Sequence, residues 1–429
     1  MENLKDRLIF GSKIYRSSAG FMLAIFFCAL LIRILFNVLI LDISRPFEGD
    51  ESIYFERAID FINGDWIGSS QRPPLLGTIL VPSFLIFGDT LEIGRFVNIL
   101  ISSASCPAIY ALGCTLLKSE NSSKLGAIIW TLYPPSIWYA GALLTESLSA
   151  LLIILVLTML LKTVRSTSLK DGVILGILVG LLALNRSLYL MVFIPVLLFL
   201  FARIRPRIVT NLKPLSLTKR NLGVTLLVLV TYIVVVSPWV VHNYIALGKF
   251  IPHSTQGGQV LMYSNEKIKN DRIQEGSYIK NLETFHKTLG NSTADEFQAD
   301  SIKRNIAMRS IKNDWNYLPK PIVNRFKNFW SSRPDPYDNS WTLNDTIMAS
   351  IWVPILFFFI LGVFQNRLMF NLPVVILISY TCVLVLPFWG TPRFRYPIDP
   401  LIVLMGSSGM LTFYSLSIVN SLKRMHFSR

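Results

Sequence analysis

Long apolar runs are the feature that most constrains how this chain can fold. Between Leu151 and Leu161 only Thr158 is polar, and residues 188–201 read LYLMVFIPVLLFLF. Runs of about 20 such residues match the hydrocarbon core of a bilayer, which is roughly 30 Å thick, at about 1.5 Å per helical residue. Charged residues make up only 16% of the chain, whereas about 25% is usual in soluble domains. The sequence therefore predicts an all-α polytopic membrane protein.

The distribution of the basic residues explains the net charge of +15. Many of them lie in short segments between the apolar runs, which is typical of cytoplasmic loops. This pattern indicates a membrane topology and argues against a nucleic-acid partner. The four cysteines lie in apolar segments without the spacing of metal ligands or of a disulfide framework.

With the basic segments in the cytoplasm, the apolar runs predict about ten transmembrane helices and place both termini in the cytoplasm. Arg33 lies inside the first span, where a charge usually faces the protein interior. The apolar segment 74–87 would reverse the topology as a full span, so it is predicted to be re-entrant or interfacial. The predicted spans are 19–42, 92–117, 125–141, 144–162, 171–185, 187–202, 222–243, 346–365, 370–388 and 397–420.

Two segments remain on the outer side: residues 43–91, called the first loop, and residues 246–345, called the large loop. The large loop has helical periodicity between residues 294 and 330, so it is expected to be mainly helical. The predicted organisation is a catalytic transmembrane module at 1–245 that includes the first loop, the large-loop domain at 246–345, and C-terminal transmembrane helices at 346–429. The short chain favours a plasma (inner) membrane of a prokaryote.

Acidic residues crowd the first loop just after the first span. Asp50 and Glu51 are adjacent and follow Gly49, which permits a tight turn. Carboxylates near a low-dielectric region can act as a general base or hold a divalent cation. A solvated acidic loop is the plainer interpretation, and the residues alone leave both open.

Several further charged residues are predicted to lie at the same outer face. A guanidinium suits a phosphate, although an interfacial arginine can equally bind lipid head groups. Glu146 begins a span, where the helix dipole by itself favours an acid. Together these charges predict a site for a lipid with a phosphate head; besides Asp50 and Glu51, the residues are Arg72, Glu146, Arg186, Arg393 and Arg395.

The same landmarks, in the same order, resemble the glycosyltransferases of the C-type fold (GT-C), in the branch of protein O-mannosyltransferases and lipid A aminoarabinose transferases. GDESIYFERAIDFINGDW resembles the family's acidic first-loop motif, and QRPPLLGTILVPSFLIFG its basic-Pro-Pro segment. SPWVVHNYIALGKFIPHSTQGGQVLMYSN and TPRFRYPIDPLIV are similar to a later exit segment and to the start of the last span. The family often has lysine where Arg72 stands, which keeps the charge but changes the hydrogen-bond geometry.

This resemblance implies an inverting transfer of a hexosyl or pentosyl group from a polyprenyl-phosphate donor to a glycan, lipid or protein acceptor on the outer side. It implies that Asp50 is the general base and that Glu51 supports it. Arg72, Arg186, Arg393 and Arg395 would bind the donor phosphate, with Glu146, Tyr54 and His253 in supporting roles. Family members differ in needing a metal, so a divalent cation at Asp50, Glu51 and Glu146 stays open.

Other classes of function compete with this hypothesis, among them a non-catalytic assembly or scaffold protein that uses the outer loop as a binding surface. A polymerase or ligase of surface polysaccharide would use the same lipid-linked donors. A secondary transporter or flippase usually has two related halves with ionisable residues near the midplane. Here the charges are predicted at one face and the sequence shows no internal repeat, which disfavours transport.

Overall fold

A computed structural model describes residues 18–65, 69–117, 119–204, 219–265, 296–313, 315–336, 340–365 and 372–427. The basic segments 1–17 and 205–218 and the stretch 266–295 of the large loop lie outside the described residues. Within the described ranges the regular secondary structure is helical, as the sequence predicts.

The described residues of the first half of the chain form nine α-helices. They are α1 (Ala19–Leu39), α2 (Glu51–Ile62), α3 (Leu75–Phe87), α4 (Leu91–Leu116), α5 (Glu120–Leu132), α6 (Pro134–Trp138), α7 (Thr145–Ser166), α8 (Leu169–Asn185) and α9 (Phe193–Ile204). Short 3-10 helices cover Tyr139–Gly141 and Ser187–Val192.

The part of the second half that the structure describes adds eight α-helices. They are α10 (Lys219–Leu247), α11 (Gly257–Asn265), α12 (Glu296–Asn313), α13 (Pro319–Phe329), α14 (Leu343–Gln365), α15 (Leu372–Val385), α16 (Pro392–Arg395) and α17 (Asp399–Phe427). Two further 3-10 helices cover Trp315–Tyr317 and Tyr396–Ile398.

Five helices in the described part are long and apolar enough to cross a membrane: α1, α4, α7, α10 and α14. Shorter apolar helices are Leu75–Phe87, Ser187–Phe201 and Leu372–Val385. The chain is a membrane protein of helices. Each of the ten predicted spans overlaps a helix. How many of these helices cross the membrane completely stays a prediction.

The predicted span 125–141 is not one continuous helix. Helix α5 ends at Leu132, and the chain continues as the short α6 and a 3-10 turn. Pro134 and Pro135 explain the break, because proline lacks a backbone N–H and clashes with the preceding turn of a helix. The predicted span 187–202 likewise begins as a 3-10 helix before α9.

Polar side chains from α1 and α4 hold this broken segment. Arg33 is fully buried, which confirms that it faces the interior. It donates hydrogen bonds to the hydroxyls of Ser102 and Ser136, each at 3.0 Å. Asn98 donates to backbone carbonyls in the 3-10 turn and just after it, at residues 139, 140 and 142. The segment that leads into α7, and so into Glu146, is therefore fixed from two neighbouring helices.

Candidate active site

Asp50 lies at the start of α2 and contacts two arginines that are distant in sequence. Gly49 has a φ of +58° and turns the chain just before it. The Asp50 carboxylate accepts a hydrogen bond from Arg72 at 2.8 Å with one oxygen and from Arg393 at 2.9 Å with the other. The structure thus brings the first loop and the α15–α17 connection together at one carboxylate.

Glu146 lies in the first turn of α7, and its side chain is fully buried between two arginines. One of its oxygens accepts from Arg393 Nε at 2.5 Å and lies 3.1 Å from Arg186 Nη1. Arg186 follows the end of α8, and its guanidinium lies 4.7 Å from the centre of the Phe394 ring. Arg393 therefore bridges the two carboxylates, Asp50 and Glu146.

These five residues form one chain of alternating charge, here called the ion-pair chain: Arg72–Asp50–Arg393–Glu146–Arg186. Three guanidiniums face two carboxylates, so the chain has one excess positive charge. The side chains of Arg72, Asp50 and Arg393 are 25–35% exposed, whereas those of Arg186 and Glu146 are 12% and 0% exposed. Within the ion-pair chain, Arg72 Nε, Glu146 Oε2 and Arg186 Nη1 are buried without a hydrogen-bond partner. The Asp50 end is open to a ligand, and the Glu146 end is closed.

Tyr54 lies one helical turn after Asp50 and is buried. Burial raises the pKa of its hydroxyl above the ordinary value, while the charge of Arg72 acts in the opposite direction. The phenol is therefore neutral and can donate a hydrogen bond beside the ion-pair chain. This placement is compatible with the supporting role that the sequence predicts.

Glu51 binds a different partner from the one the sequence suggested. Its carboxylate forms a fully buried ion pair with Arg95, at 2.6 Å, and accepts from the backbone N–H of Leu143 at 2.7 Å. Burial would raise the pKa of Glu51, but the hydrogen bonds from Arg95 and from backbone N–H groups outweigh it and hold that pKa below its ordinary value. Because Leu143 precedes Glu146 by three residues, the Glu51–Arg95 pair connects the two segments that supply Asp50 and Glu146.

Arg95 also donates to three backbone carbonyls of the first loop, at Ile43, Arg45 and Pro46. The sequence reasoning missed this residue. Its signal was a charged side chain within the first turns of the apolar helix LEIGRFVNIL, which is as unusual as the charge at Arg33.

Arg395 lies only two residues from Arg393 but has other partners. It is 3% exposed and donates to Asp399 at 2.9 Å and to the carbonyls of Phe329 and Ser331. Its guanidinium carbon lies 3.6 Å from the centre of the Trp352 ring. These contacts fix α13 and α14 against α17, and they do not match the phosphate-binding role predicted for Arg395.

The proposed cation ligands do not fit a metal site. Asp50 and Glu146 are bound by arginines of the ion-pair chain, and Glu51 is bound by Arg95. In the described ranges, no group of three or more His, Cys, Asp or Glu side chains could hold a metal ion. The guanidiniums already neutralise these carboxylates, so their contacts do not favour the shared cation that the sequence left open at Asp50, Glu51 and Glu146.

His253 stands at the start of the large loop and joins it to the helices. Its Nε2 donates to the carbonyl of Ala183 at 2.7 Å, and its own carbonyl accepts from the indole of Trp239 at 2.6 Å. Ala183 is three residues before Arg186, so His253 supports the end of α8 that presents this arginine. Its contacts are structural, and it lies outside the ion-pair chain.

Stability should fall in mild acid because of His253. Burial lowers its pKa to about 4, from 6.5 in a model peptide. Between these values the unfolded chain binds a proton that the folded chain does not. The neutral form therefore contributes fully above pH 6.5, and about 2 kcal/mol is lost on going from pH 7.5 to pH 5.

We expect the melting temperature of His253→Gln in detergent to vary less over this pH range than that of the wild type. The glutamine side chain does not titrate in this pH range, and its amide N–H can still donate a hydrogen bond to the carbonyl of Ala183. Identical pH profiles for the two proteins would show that His253 does not titrate in this way.

Comparison with known proteins agrees with this architecture. Residues 71–242, less than half of the chain, match the family model described as dolichyl-phosphate-mannose-protein mannosyltransferase. No match was found among curated proteins.

Among solved structures, the oligosaccharyltransferase AglB from Archaeoglobus fulgidus, in complex with an inhibitory peptide and a dolichol-phosphate, is 13% identical, with a TM-score of 0.56 over 94% of this chain and 52% of that one. The apo form of the oligosaccharyltransferase from the same organism is 14% identical, with a TM-score of 0.57 over 95% of this chain and 52% of that one. ArnT from Cupriavidus metallidurans, bound to undecaprenyl phosphate, is 13% identical with a TM-score of 0.43, over 91% of this chain and 78% of that one.

This chain therefore has the GT-C glycosyltransferase fold. It spans about half the length of the oligosaccharyltransferases that it matches, at 52% of their chains. At this level of identity the likeness establishes the fold, while the activity must be argued from the site.

Proposed function

We propose that this protein transfers a sugar from a polyprenyl-phosphate-linked donor to an acceptor at the outer face of the membrane, with inversion at the sugar carbon. The observation that carries the proposal is the ion-pair chain, in which Asp50 lies between Arg72 and Arg393 at the open end. A general base beside guanidiniums that suit a phosphate is what a displacement at a sugar phosphate requires.

The chemistry follows from the competition for these guanidiniums. A donor phosphate would accept hydrogen bonds from Arg72 and Arg393, which now bind Asp50. Relieved of both partners, the carboxylate becomes a better acceptor for the proton of the acceptor hydroxyl or amine. As the acceptor oxygen or nitrogen bonds to the sugar carbon, the bond from that carbon to the phosphate oxygen breaks. The electron pair stays on the phosphate, where the arginines stabilise the growing negative charge.

The closed end of the ion-pair chain has a different task. Glu146 is fully buried and holds Arg393 and Arg186 through one of its oxygens. Its carboxylate fixes the two guanidiniums and offsets part of their positive charge. We propose that Glu146 orients the arginines and that Asp50 takes the proton.

A lipid-linked donor is supported by three observations of different kinds. The fold is that of a membrane protein, the matching family model is named for a dolichyl-phosphate-mannose donor, and the AglB structure holds a dolichol-phosphate. A polyprenyl chain would place its phosphate at the membrane boundary, where the sequence predicts that the first loop lies. On this proposal the site faces the outer side of a plasma (inner) membrane, with both termini in the cytoplasm.

The catalytic module extends over both transmembrane parts of the chain. Asp50, Arg72, Glu146 and Arg186 come from residues 1–245, whereas Arg393 comes from residues 346–429. We therefore propose that the two helical parts form one catalytic unit. The large loop, residues 246–345, would cover this unit and contribute to the choice of acceptor.

Arg72→Ala tests the donor site directly. Loss of a charge-assisted contact to phosphate should raise the dissociation constant for a polyprenyl phosphate by roughly tenfold or more. The measurement is equilibrium binding to purified wild type and variant in the same detergent. Arg304→Ala, which removes an exposed arginine paired with Asp300 in the large loop, is the matched control. An unchanged affinity in Arg72→Ala would mean that Arg72 is only an interfacial anchor.

A further inference from the structure

The first loop and the large loop meet immediately before Arg72. The backbone N–H of Ser70 donates to the carboxylate of Glu296 at 3.0 Å, and its carbonyl accepts from the N–H of Thr255 at 3.2 Å. The same Glu296 oxygen accepts from the hydroxyl of Thr255 at 3.2 Å. The next carbonyl, at Gln71, accepts from the hydroxyl of Ser254 at 2.5 Å. Ser70 is fully buried, so the large loop fixes the backbone one and two residues before Arg72.

On the C-terminal side of Arg72, two prolines restrict the backbone. Pro73 and Pro74 follow at once, and α3 begins at Leu75. Each proline has a fixed φ, and the residue before a proline is restricted to extended conformations. The backbone at Arg72 can therefore be displaced mainly through Ser70 and Gln71. The contacts of these two residues with the large loop then determine where the guanidinium of Arg72 lies relative to Asp50.

We propose that Glu296 is a positioning residue for Arg72. Through its charge-assisted hydrogen bond to the N–H of Ser70, it holds the Ser70–Gln71 backbone so that Arg72 reaches Asp50 and a donor phosphate. The consequence for donor binding rests on the proposed function, whereas the consequence for the backbone at Ser70 does not. Glu296 thereby connects the large loop to the donor end of the ion-pair chain.

Asp300 provides a matched control on the same helix. It lies one turn after Glu296 in α12, is also an acid, and is buried. Its carboxylate accepts from the backbone N–H groups of Gly258 at 2.6 Å and Gln259 at 3.1 Å. Removing Asp300 therefore disturbs α11 and the large loop without removing a contact of Ser70.

The experiment combines a measurement without ligand and one with ligand. Hydrogen–deuterium exchange of the Ser70 amide is followed in the wild type, Glu296→Ala, Glu296→Gln and Asp300→Ala. The affinity for undecaprenyl phosphate is measured for the same proteins, and again for each variant combined with Arg72→Ala. The combination forms a double-mutant cycle, which shows whether Glu296 acts through Arg72.

We expect Glu296→Ala to speed hydrogen exchange at the Ser70 amide. It should also lower the affinity for undecaprenyl phosphate about tenfold, since a small misplacement of a binding group greatly reduces its contribution. Glu296→Gln keeps an oxygen that can accept from Ser70 and should recover most of the affinity. In the Arg72→Ala background, Glu296→Ala should have no further effect on affinity. Asp300→Ala should speed exchange at residues 258–259 and leave both Ser70 exchange and affinity near the wild-type values.

Unchanged exchange at Ser70 in Glu296→Ala would overturn the proposal whether or not the donor has been identified. An affinity loss that is as large without Arg72 as with it would also overturn it, because Glu296 would then act elsewhere. If wild-type protein fails to bind undecaprenyl phosphate, the proposed function fails, and the exchange data alone decide whether Glu296 holds Ser70.

Discussion

Asp50→Asn is expected to lower kcat for sugar transfer by roughly 10²–10⁴-fold, the usual contribution of a general base. Asparagine keeps the shape of the side chain and can accept from one of the two arginines that now bind Asp50. The substitution also removes a negative charge next to the phosphate site. Donor affinity should therefore be kept or slightly increased while turnover is lost.

The measurement is single-turnover transfer and donor binding on the same preparations. Glu48→Gln is the matched control, because Glu48 is an acid of the same loop whose side chain is mostly exposed. It should retain activity close to that of the wild type. Near-normal turnover in Asp50→Asn would contradict the assignment and move the base to Glu146 or Glu51.

Glu51→Leu is expected to have the largest effect on stability. The Glu51–Arg95 ion pair is fully buried, and removing one partner of such a pair costs about 3–5 kcal/mol because a charge is left uncompensated. The backbone N–H of Leu143 also loses its acceptor. Because the pKa of Glu51 is lowered by folding, its stabilising contribution is present at neutral pH and is lost only as the pH falls through that lowered value.

Thermal unfolding in detergent at neutral pH measures this effect. Glu51→Gln keeps the shape and the acceptor for Leu143 but not the charge, so its melting temperature should lie between those of Glu51→Leu and the wild type. If Glu51→Leu has the melting temperature of the wild type but has lost sugar-transfer activity, Glu51 acts in the reaction as the sequence first suggested. The expected pattern instead makes Glu51 a residue that holds the site together.

The helices and the grouping of charges could be predicted from the sequence for clear physical reasons. A run of about 20 apolar residues has few alternatives to a helix in a membrane. Basic segments then predict the topology, and with it that Asp50, Arg72, Glu146, Arg186 and Arg393 lie at one end of the bundle. The structure joins these five residues in one chain of ion pairs.

The partners of individual charges could not be predicted in the same way. Arg393 and Arg395 are two residues apart in a short turn, yet one contacts Asp50 and Glu146 and the other contacts Asp399. Asp50 and Glu51 are adjacent, yet they bind different arginines. Neighbouring side chains in a turn or in a first helical turn point in different directions, so the choice depends on packing between helices that are distant in sequence.

The contact between the first loop and the large loop could not be predicted from the sequence either. Glu296 is one of two acids in a polar helix, and its contact with Ser70 joins positions 226 residues apart. No periodicity or spacing connects such positions. Only the folded chain shows that the backbone before Arg72 is hydrogen-bonded to the large loop.

The most direct test of the central claim is binding of purified wild-type protein to undecaprenyl and decaprenyl phosphate, with and without a sugar, compared with bulk anionic phospholipid. The ion-pair chain predicts saturable binding of the polyprenyl phosphates that is clearly tighter than binding of the phospholipid and that weakens in Arg72→Ala. Binding no tighter than that of any anionic lipid would contradict a donor site. These arginines would then only bind lipid head groups, and the transporter hypothesis would have to be considered again.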